Sequence, residues 1–392
     1  MQLRVKKIRK SDKLKTLKVL HIISGFGGGI SSLIWNLVRN TDSTKIINDV
    51  IAFSLEDGDE FIIDIQNKGG NVYEMPRPRK KGYNSMKVYI LDVLMKNSYD
   101  AIHCHIDGWR SLLFSKYAKK AGINRFIIHA HRTSNDRGLI SNNPLFIKFN
   151  RYCTRRAATH LAACGKMAGD FVFGKNTNKH DFIIIPNGVM LDKFIGSLST
   201  EERNMYLGSL DIPNNTVIIG QIARFNIQKN HKFAIDIIRE IKKSGVDFVW
   251  MFIGVGELET EIKERVMKYG LNNYVRFLGR RSDVNNLLKL MDVMVLTSYS
   301  EGLPTVVIEA QATGTPSILS DTITRETDMG LGLLEFIPIG ETADTWAKAI
   351  IDNVGHKSTD YHHIKKNFVE KSYTAADASI KYENFIYDIV CN

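Results

Sequence analysis

Short apolar runs alternate with amphipathic stretches along the first half of the chain. The apolar runs, which predict buried strands, lie at 17–23, 48–55, 71–76, 100–105, 125–131 and 159–164. The amphipathic stretches, which predict helices, lie at 30–40, 61–69, 84–97 and 111–122. Strands that alternate with helices in this way predict a parallel sheet with helices on both faces.

The same alternation begins again in the second half. Strands are predicted at 216–223, 247–254, 274–279, 292–298 and 316–321. Helices are predicted at 231–245, 258–269, 284–291 and 342–354. The segment "IIIPNGVMLDKF" (183–194) interrupts the pattern with Pro186, Asn187 and Gly188, so it marks the joint between two units.

These patterns predict an α/β fold of two doubly wound, Rossmann-like domains that face each other across a cleft. A chain of 392 residues is too long for one ordinary core. We place a basic tail at 1–16, a first domain at 17–188, a second at 189–374, and a last helix at 375–392 that packs back on the first domain. Ligands of such sheets bind at the carboxyl ends of the strands, so the cleft is the expected site.

The composition is that of an ordinary globular protein, with 44% hydrophobic and 24% charged residues. No apolar run reaches the roughly 18 residues of a membrane span, and the glycines at 25–29 interrupt any signal-peptide core. The four cysteines are far apart and form no CxxC pair, which favours reduced thiols and gives no zinc signature. We therefore expect a cytoplasmic protein.

The net charge of +11 is concentrated in the first half, in clusters at 4–18, 77–81 and 151–156. Such clusters bind nucleic acid, anionic lipid headgroups or phosphorylated substrates, or they simply form a solvated basic face. They lack interleaved aromatic residues and any known nucleic-acid module, so a nucleic-acid partner is not expected.

The segment "EGLPTVVIEAQATGTP" (301–316) places two acids and a tight turn directly after a predicted strand. Gly302 and Pro304 favour a turn, and a helix is expected to begin near Pro304 and Thr305, since proline suits the first helical position. The free N–H groups of that first turn suit a phosphate. Glu309 can accept hydrogen bonds from a ribose diol, and Glu301 from another hydroxylated group. The alternative is an ordinary β–α turn with incidental acids.

Two cations follow the first strand of the second half. Arg224 and Lys229, in "ARFNIQKNH" (223–231), are natural neutralisers of a leaving diphosphate where no metal ligand is nearby. We expect no metal site. In the first half, "GFGGGI" (25–30) includes Gly28 and Gly29, which let the backbone approach a ligand before a helix N-terminus. The loop does not fit the dinucleotide-binding glycine pattern.

Together these segments resemble the retaining glycosyltransferases of family 4, which have the two-domain GT-B architecture. Glu301 and Glu309 match the family's E-x7-E motif, and the segments at 20–37, 185–194 and 222–231 resemble its glycine loop, its Pro-Asn-Gly segment and its Arg/Lys loop. The resemblance covers nearly the whole chain. In detail, the segment at 301–316 is similar to that of bacterial capsule and exopolysaccharide transferases. Ala223 departs from the family's usual glycine.

The resemblance implies a role for each matched position. Arg224 and Lys229 would bind the donor diphosphate and stabilise it as it leaves, and Glu309 would hold the ribose. Glu301, with the backbone of Gly302 and Leu303, would hold the donor sugar. The remaining donor-binding positions are Gly28, Gly29, Pro304 and Thr305, and His131 matches a histidine that reaches the transferred sugar.

The other histidines are expected to be packing residues. His129 and His131 are taken to alternate across their strand, so that only one faces the cleft, and His103 and His105 pose the same choice. Asp107 is a candidate for contact with an acceptor.

The predicted activity is metal-independent, retaining transfer of a hexosyl unit from a nucleoside-diphosphate sugar, with uridine as the base on family grounds. The expected acceptor is a sugar hydroxyl, carried on a lipid diphosphate at the inner membrane face, where the basic first half would bind peripherally. A carboxylate nucleophile is not evident, which favours front-face substitution over double displacement. The alternatives are an epimerase or a phosphorylase of the same architecture, or a non-catalytic nucleotide-sugar binding protein.

Overall fold

The computed structural model describes residues 15–26, 29–56, 58–133, 143–175 and 182–391. Its first half forms a seven-stranded parallel sheet in the order β3-β2-β1-β4-β5-β6-β7. The strands are β1 Leu17–Ile22, β2 Ile46–Ala52, β3 Val72–Glu74, β4 Ala101–Cys104, β5 Phe126–Ala130, β6 His160–Ala163 and β7 Ile183–Ile184. The helices are α1 Gly29–Asn40, α2 Asp59–Asn67, α3 Pro78–Lys96, α4 Trp109–Lys120, α5 Pro144–Ala157 and α6 Lys166–Phe173.

The second half forms a six-stranded parallel sheet in the order β10-β9-β8-β11-β12-β13. Its strands are β8 Val217–Ile222, β9 Phe248–Ile253, β10 Val275–Phe277, β11 Val293–Leu296, β12 Ser317–Ser320 and β13 Leu334–Ile337. Its helices are α7 Leu191–Phe194, α8 Thr200–Ser209, α9 His231–Ser244, α10 Glu259–Lys268, α11 Val284–Leu290, α12 Thr305–Ala312, α13 Ala343–Asp352 and α14 Tyr361–Glu370. Two doubly wound parallel sheets were predicted, and the fold class is confirmed.

The chain passes between the two sheets at two adjacent segments. The Val189 amide donates to the Tyr373 carbonyl oxygen, and the Ala375 amide donates to the Val189 carbonyl oxygen, both at 2.9 Å. Gly188 allows this approach, because a Cβ there would lie 2.4 Å from the Thr374 carbonyl oxygen. The predicted domain boundaries lie in these segments. After the second crossing, α15 (Ala375–Cys391) packs against α1 of the first half.

Several elements of the structure were not predicted from the pattern, namely α5, α6, α7, α8, α14, β7 and β13. Two of them bury few side chains: α8 buries only Leu207, and α14 buries Ile364 and Phe368. A narrow buried face leaves little periodic signal in the sequence. Helix α3 also begins earlier than predicted, at Pro78, and is interrupted at Gly82, whose φ of 79° breaks the helical backbone.

No helix among the described residues combines the length and apolar character needed to cross a bilayer. The four cysteines are free, and Cys391 alone among them is exposed.

Candidate active site

The loop after β11 brings the first of the predicted acids to the edge of the second sheet. Glu301 is only 8% exposed, and its Oε1 accepts hydrogen bonds from Lys229 Nζ and, at 2.6 Å, from Ser298 Oγ. Helix α12 begins at Thr305 directly after Pro304, as predicted. The ion pair between Lys229 and Glu301 was not predicted. In it the ammonium group and the carboxylate neutralise each other.

Lys229 is held in place by its own backbone. It ends a short 3₁₀ turn, in which Asn226 Oδ1 accepts a hydrogen bond from the Lys229 amide at 3.1 Å. The Lys229 carbonyl oxygen accepts from Gln221 Nε2 on β8 and from Thr297 Oγ1 after β11, each at 3.2 Å. The turn is therefore tied to the carboxyl ends of two neighbouring strands, and the ammonium group projects from a rigid base.

Arg224 lies beside this turn and reaches into solvent. Its side chain is 70% exposed, and its ion pair with Glu257 is long, at 3.6 Å. The backbone around it is approached closely by the turn after β9. A Cβ at Gly254 would lie 2.2 Å from the Ala223 carbonyl oxygen, and one at Gly256 would lie 2.3 Å from the Phe225 carbonyl oxygen. Only glycine fits these two positions, which the sequence analysis missed although "GVGE" (254–257) follows a predicted strand.

The loop that carries Glu301 touches the first sheet. A Cβ at Gly302 would lie 2.6 Å from the His131 carbonyl oxygen, and Thr133 Oγ1 donates a hydrogen bond to the Glu301 carbonyl oxygen. Leu303 is 9% exposed. The carboxyl edges of the two sheets thus meet where the predicted residues of both halves converge.

Glu309 lies in the second turn of α12 and is half-buried. Burial raises the pKa of its carboxyl group from the ordinary value to about 7, since a low-dielectric surrounding disfavours the charged form. No hydrogen bond to this carboxyl group is found among the described residues. A half-buried acid without a partner in the described part of the chain can accept hydrogen bonds from a ligand that has donors.

The glycine loop of the first half is described in part. Gly28 lies outside the described residues, whereas Gly29 begins α1. A Cβ at Gly29 would lie 3.7 Å from Asn187 Nδ2. Asn187 is 6% exposed, and its Oδ1 has no partner in the described part of the chain. The start of α1 and the Pro-Asn-Gly segment therefore share one small region at the same edge of the sheet.

Five histidines form one cluster at the carboxyl end of the first sheet, which we call the histidine array (His21, His103, His105, His129 and His131). The rings of His129 and His131 stack with centroids 4.3 Å apart, and those of His103 and His105 stack at 4.5 Å. The prediction that only one of each pair faces the cleft side is wrong. Residues two apart in a strand point to the same face, so each pair lies on one side of the sheet.

Burial lowers the pKa of every histidine in the array. The pKa falls to about 4 for His21 and to about 3 for His131, and it lies well below the ordinary value for the other three. Desolvation is the largest cause in each case. The rings are therefore neutral at pH 7, and each has one N–H group and one unprotonated nitrogen.

Asp107, a predicted candidate for acceptor contact, is paired with Arg132. The guanidinium donates to both carboxylate oxygens, with Nε at 2.8 Å from Oδ2 and an Nη at 2.9 Å from Oδ1. This two-bond pairing is a strong and directional one. It joins the ends of β4 and β5 beside the cleft.

A cavity of about 640 Å³ lies elsewhere, lined by residues that include Asp211, Thr216, Asp247 and Arg276. Thr216 and Asp247 come directly before β8 and β9, so the cavity opens at the amino ends of the strands. It is therefore on the opposite edge of the sheet from Lys229 and Glu301, and ligands of parallel sheets bind at the carboxyl edge.

Three comparisons with known proteins bear on the family and the fold of this chain. Residues 203–329 match the family described as "Glycosyl transferases group 1". The chain is 31% identical over 363 residues to EpsF of Bacillus subtilis (strain 168), named as a glycosyltransferase, which covers 91% of this chain and 93% of that protein. It is 26% identical over 238 residues, covering 60% of this chain and 61% of the relative, to the Escherichia coli UDP-Gal:alpha-D-GlcNAc-diphosphoundecaprenol alpha-1,3-galactosyltransferase. Among solved structures, HepE of Anabaena in complex with UDP-glucose superposes with a TM-score of 0.75 at 16% identity, over 96% of this chain and 99% of that one.

Proposed function

This chain belongs to the group 1 glycosyltransferases and has the GT-B fold, and on that basis we propose that it is a retaining enzyme of family 4. It moves a hexosyl unit from a UDP-sugar to a hydroxyl of a saccharide acceptor. The observation that carries the proposal is the convergence of Lys229, Glu301, Gly302 and His131 where the carboxyl edges of the two sheets meet. Arg224 lies after β8, next to the turn that carries Lys229, and its guanidinium is largely exposed. Glu309 lies on α12, and its carboxyl group is available to accept hydrogen bonds.

The proposed donor site uses the second sheet. Glu309 accepts the two ribose hydroxyls, and the first turn of α12 offers its free N–H groups to the diphosphate. Arg224 and Lys229 supply two positive charges for the two negative charges of the diphosphate. The donor named for the E. coli relative is UDP-galactose, and HepE was solved with UDP-glucose, which supports uridine as the base.

Donor binding would exchange the partners of the central ion pair. In this structure Lys229 neutralises Glu301. When a donor enters, Lys229 turns to the diphosphate and Glu301 accepts a hydroxyl of the sugar. Because the carboxylate keeps its bond from Ser298 Oγ and gains the sugar hydroxyl, it need not remain buried without a partner.

In the proposed reaction the bond between the anomeric carbon and the diphosphate oxygen breaks, and UDP leaves with the bonding electrons. The acceptor hydroxyl attacks the anomeric carbon from the same face, and its proton passes to the departing phosphate oxygen. Arg224 and Lys229 stabilise the negative charge that develops on UDP. The Glu301–Gly302 backbone contacts the His131 carbonyl oxygen and the Thr133 hydroxyl, and these contacts hold the two domains together and limit the entry of water.

In this proposal the two cations do the electrostatic work that a divalent metal does in other transferases. Turnover is therefore expected to persist in the presence of a chelator. The product is proposed to be part of a capsular polysaccharide or exopolysaccharide, because the segment at 301–316 is similar to those transferases.

The acceptor is proposed to be lipid-linked, as it is in the name of the E. coli relative, where it is a sugar on diphosphoundecaprenol. Helix α5 offers a surface for the membrane that would hold such an acceptor. Leu145, Phe149 and Tyr152 are 74%, 51% and 61% exposed, and their spacing places them on one face of the helix. The neighbouring basic residues are Lys148, Arg151, Arg155 and Arg156.

This membrane-facing helix lies beside the cleft. The Gly108 amide, next to Asp107, donates a hydrogen bond to Thr154 Oγ1 of α5 at 2.8 Å. An exposed apolar stripe with basic neighbours inserts at the headgroup level of anionic bilayers. A lipid-linked saccharide could then reach the cleft without leaving the membrane surface.

The first test of the proposed function is a thermal-shift panel of nucleotides and nucleotide sugars without added metal. A ligand at 100 times its dissociation constant stabilises the folded state by about 2.7 kcal/mol, which is readily measured. We expect stabilisation by UDP and by one UDP-sugar above the others. Epimerisation of that UDP-sugar during incubation without an acceptor would point to an epimerase. A panel in which no nucleotide stabilises the protein would contradict the proposal.

Replacing Phe149 and Tyr152 together by serine is expected to weaken binding to vesicles of phosphatidylglycerol and phosphatidylcholine at least tenfold, because each exposed ring buries apolar area worth about 1 kcal/mol or more. Co-sedimentation at low salt measures this. The matched control is the serine variant of Met205 and Met267, which are 64% and 59% exposed on α8 and α10 of the second half. Wild-type protein that does not sediment with anionic vesicles would refute the membrane assignment.

A further inference from the structure

Three members of the histidine array form a hydrogen-bonded series across the first sheet, which we call the histidine string. His21 lies on β1, His105 directly after β4, and His131 directly after β5. His21 Nδ1 lies 3.1 Å from His105 Nε2, and His105 Nδ1 lies 2.8 Å from His131 Nε2. The string therefore connects the interior of the first domain with the edge that meets Gly302.

The inner end of the string is anchored by Asn48 of β2 and Tyr382 of α15. The Tyr382 hydroxyl donates to Asn48 Oδ1 at 2.5 Å, and His21 Nε2 lies 3.1 Å from the same oxygen. An amide oxygen can only accept hydrogen bonds. His21 Nε2 also lies 3.2 Å from the Tyr382 hydroxyl oxygen, but the hydrogen of that hydroxyl is directed at Asn48 Oδ1. The hydrogen between His21 and Asn48 is therefore on His21 Nε2.

Because each ring is neutral, it has one N–H donor and one acceptor nitrogen, and the direction set at Asn48 passes along the string. His21 Nδ1 must accept, so His105 donates from Nε2. His105 Nδ1 must then accept, so His131 donates from Nε2. The remaining nitrogen, His131 Nδ1, therefore carries no hydrogen and has a free lone pair. This atom is buried and has no partner within the described segments.

We propose that Asn48, acting through His21 and His105, fixes the tautomer of His131, so that His131 Nδ1 is an acceptor for a hydroxyl of the donor sugar. This rests on the proposed function for the sugar. It adds that Asn48, His21 and His105 are positioning residues that never touch the substrate. A fixed acceptor requires the sugar to donate a hydrogen there, which selects a hydroxyl over any group that can only accept.

The array is less suited to a metal ion, although its nitrogens are close together. The rings of His103 and His105 are inclined by only 29°, and those of His129 and His131 by 21°. The lone pair of an imidazole nitrogen lies in the plane of its ring. Stacked, nearly parallel rings direct their lone pairs side by side, whereas a metal requires them to converge on one point.

Histidine selectively labelled with ¹⁵N reports the tautomer directly by NMR, with His131 assigned from the spectrum of His131→Asn. In ligand-free wild-type protein we expect a protonated Nε2 and an unprotonated Nδ1. Asn48→Leu removes the anchor and His21→Phe breaks the string, so both variants should show a mixture of the two His131 tautomers. His129→Gln, which changes a neighbour outside the string, should leave the tautomer unchanged.

A protonated His131 Nδ1 in the wild type would overturn the proposal. So would a single unchanged tautomer in a folded Asn48→Leu or His21→Phe variant. Because either variant suffices, failure of one to fold leaves the other to decide.

The role of the acceptor is tested with UDP-glucose and its monodeoxyfluoro analogues, since fluorine replaces the hydroxyl but cannot donate. One analogue is expected to bind the wild type about fivefold more weakly than UDP-glucose does, the effect of one lost hydrogen bond. In Asn48→Leu this difference should shrink to less than twofold. Equal discrimination in wild type and variant would remove the link to the sugar, whereas failure of wild-type protein to bind UDP or any UDP-sugar would count against the proposed function and leave the tautomer result standing.

Discussion

Replacement of Arg224 by alanine is expected to lower turnover by about 100-fold to 1,000-fold, the range seen when one group that stabilises transition-state charge is removed. The side chain is largely exposed and has one long ion-pair contact. Its loss should therefore leave the melting temperature, Tm, unchanged. Steady-state kinetics with the donor identified in the thermal-shift panel, together with Tm, measure both effects.

Lys232→Ala is the matched control for Arg224→Ala. Lys232 lies three residues beyond Lys229 and is also exposed and paired with a glutamate, Glu261, so its removal should change turnover less than twofold. Lys229→Ala should lower turnover at least as far as Arg224→Ala does. It should also lower Tm, because Glu301 would be left as a buried charge without its partner. Near wild-type turnover in Arg224→Ala would show that this guanidinium does not serve the leaving group.

Replacement of Glu309 by glutamine is expected to stabilise the protein and to weaken the binding of UDP-glucose by about 10-fold to 100-fold. Binding weakens because two hydrogen bonds from the ribose would lose their charged acceptor. Stability rises because burial raises the pKa of Glu309 to about 7. The folded state therefore disfavours the carboxylate by up to about 3 kcal/mol near pH 8, a cost that glutamine does not have.

The difference in stability between Glu309→Gln and wild type is expected to depend on pH. A raised carboxyl pKa means that wild-type stability falls as pH rises through about 7, so the gain from glutamine should shrink to about 1 kcal/mol near pH 5.5. The affinity of the wild type for UDP-glucose should rise about tenfold between pH 6 and pH 8, as the ligand itself does not titrate there. A glutamine variant that is less stable than wild type near pH 8, or that binds UDP-glucose equally well, would contradict this role.

The elements that carry the site were largely predictable. Strands β8 and β11, and the loops after them that hold Arg224, Lys229 and Glu301, follow from short apolar runs ended by glycine, proline and charged residues. Because parallel strands end at one edge, charged residues after neighbouring strands must lie near each other. The start of α12 near Pro304 and Thr305 was predicted from the preference of proline for helix N-termini, although Pro304 is the N-cap and not the first helical residue.

The chemical state of the site was not predictable in this way. The neutral form favoured at Glu309, the pairing of Asp107 with Arg132, and the shared face of His129 and His131 all depend on which side chains surround a residue. For the histidines the rule for strands was available and was misapplied. For Glu309 the general rule points the wrong way, since acidic side chains are mostly exposed, and only the surrounding packing half-buries this one.

By itself, the sequence determined that this protein has two parallel α/β sheets and that its charged residues collect at their carboxyl edges, because hydrophobic period and strand direction are local properties of the chain. The tertiary structure alone decided that Lys229 neutralises Glu301, 72 residues away, and that Tyr382 and Asn48 anchor His21 from positions up to 361 residues apart. Such contacts depend on how loops and the last helix dock after the sheets have formed. Docking is set by the summed packing of many side chains, which no single stretch of sequence records.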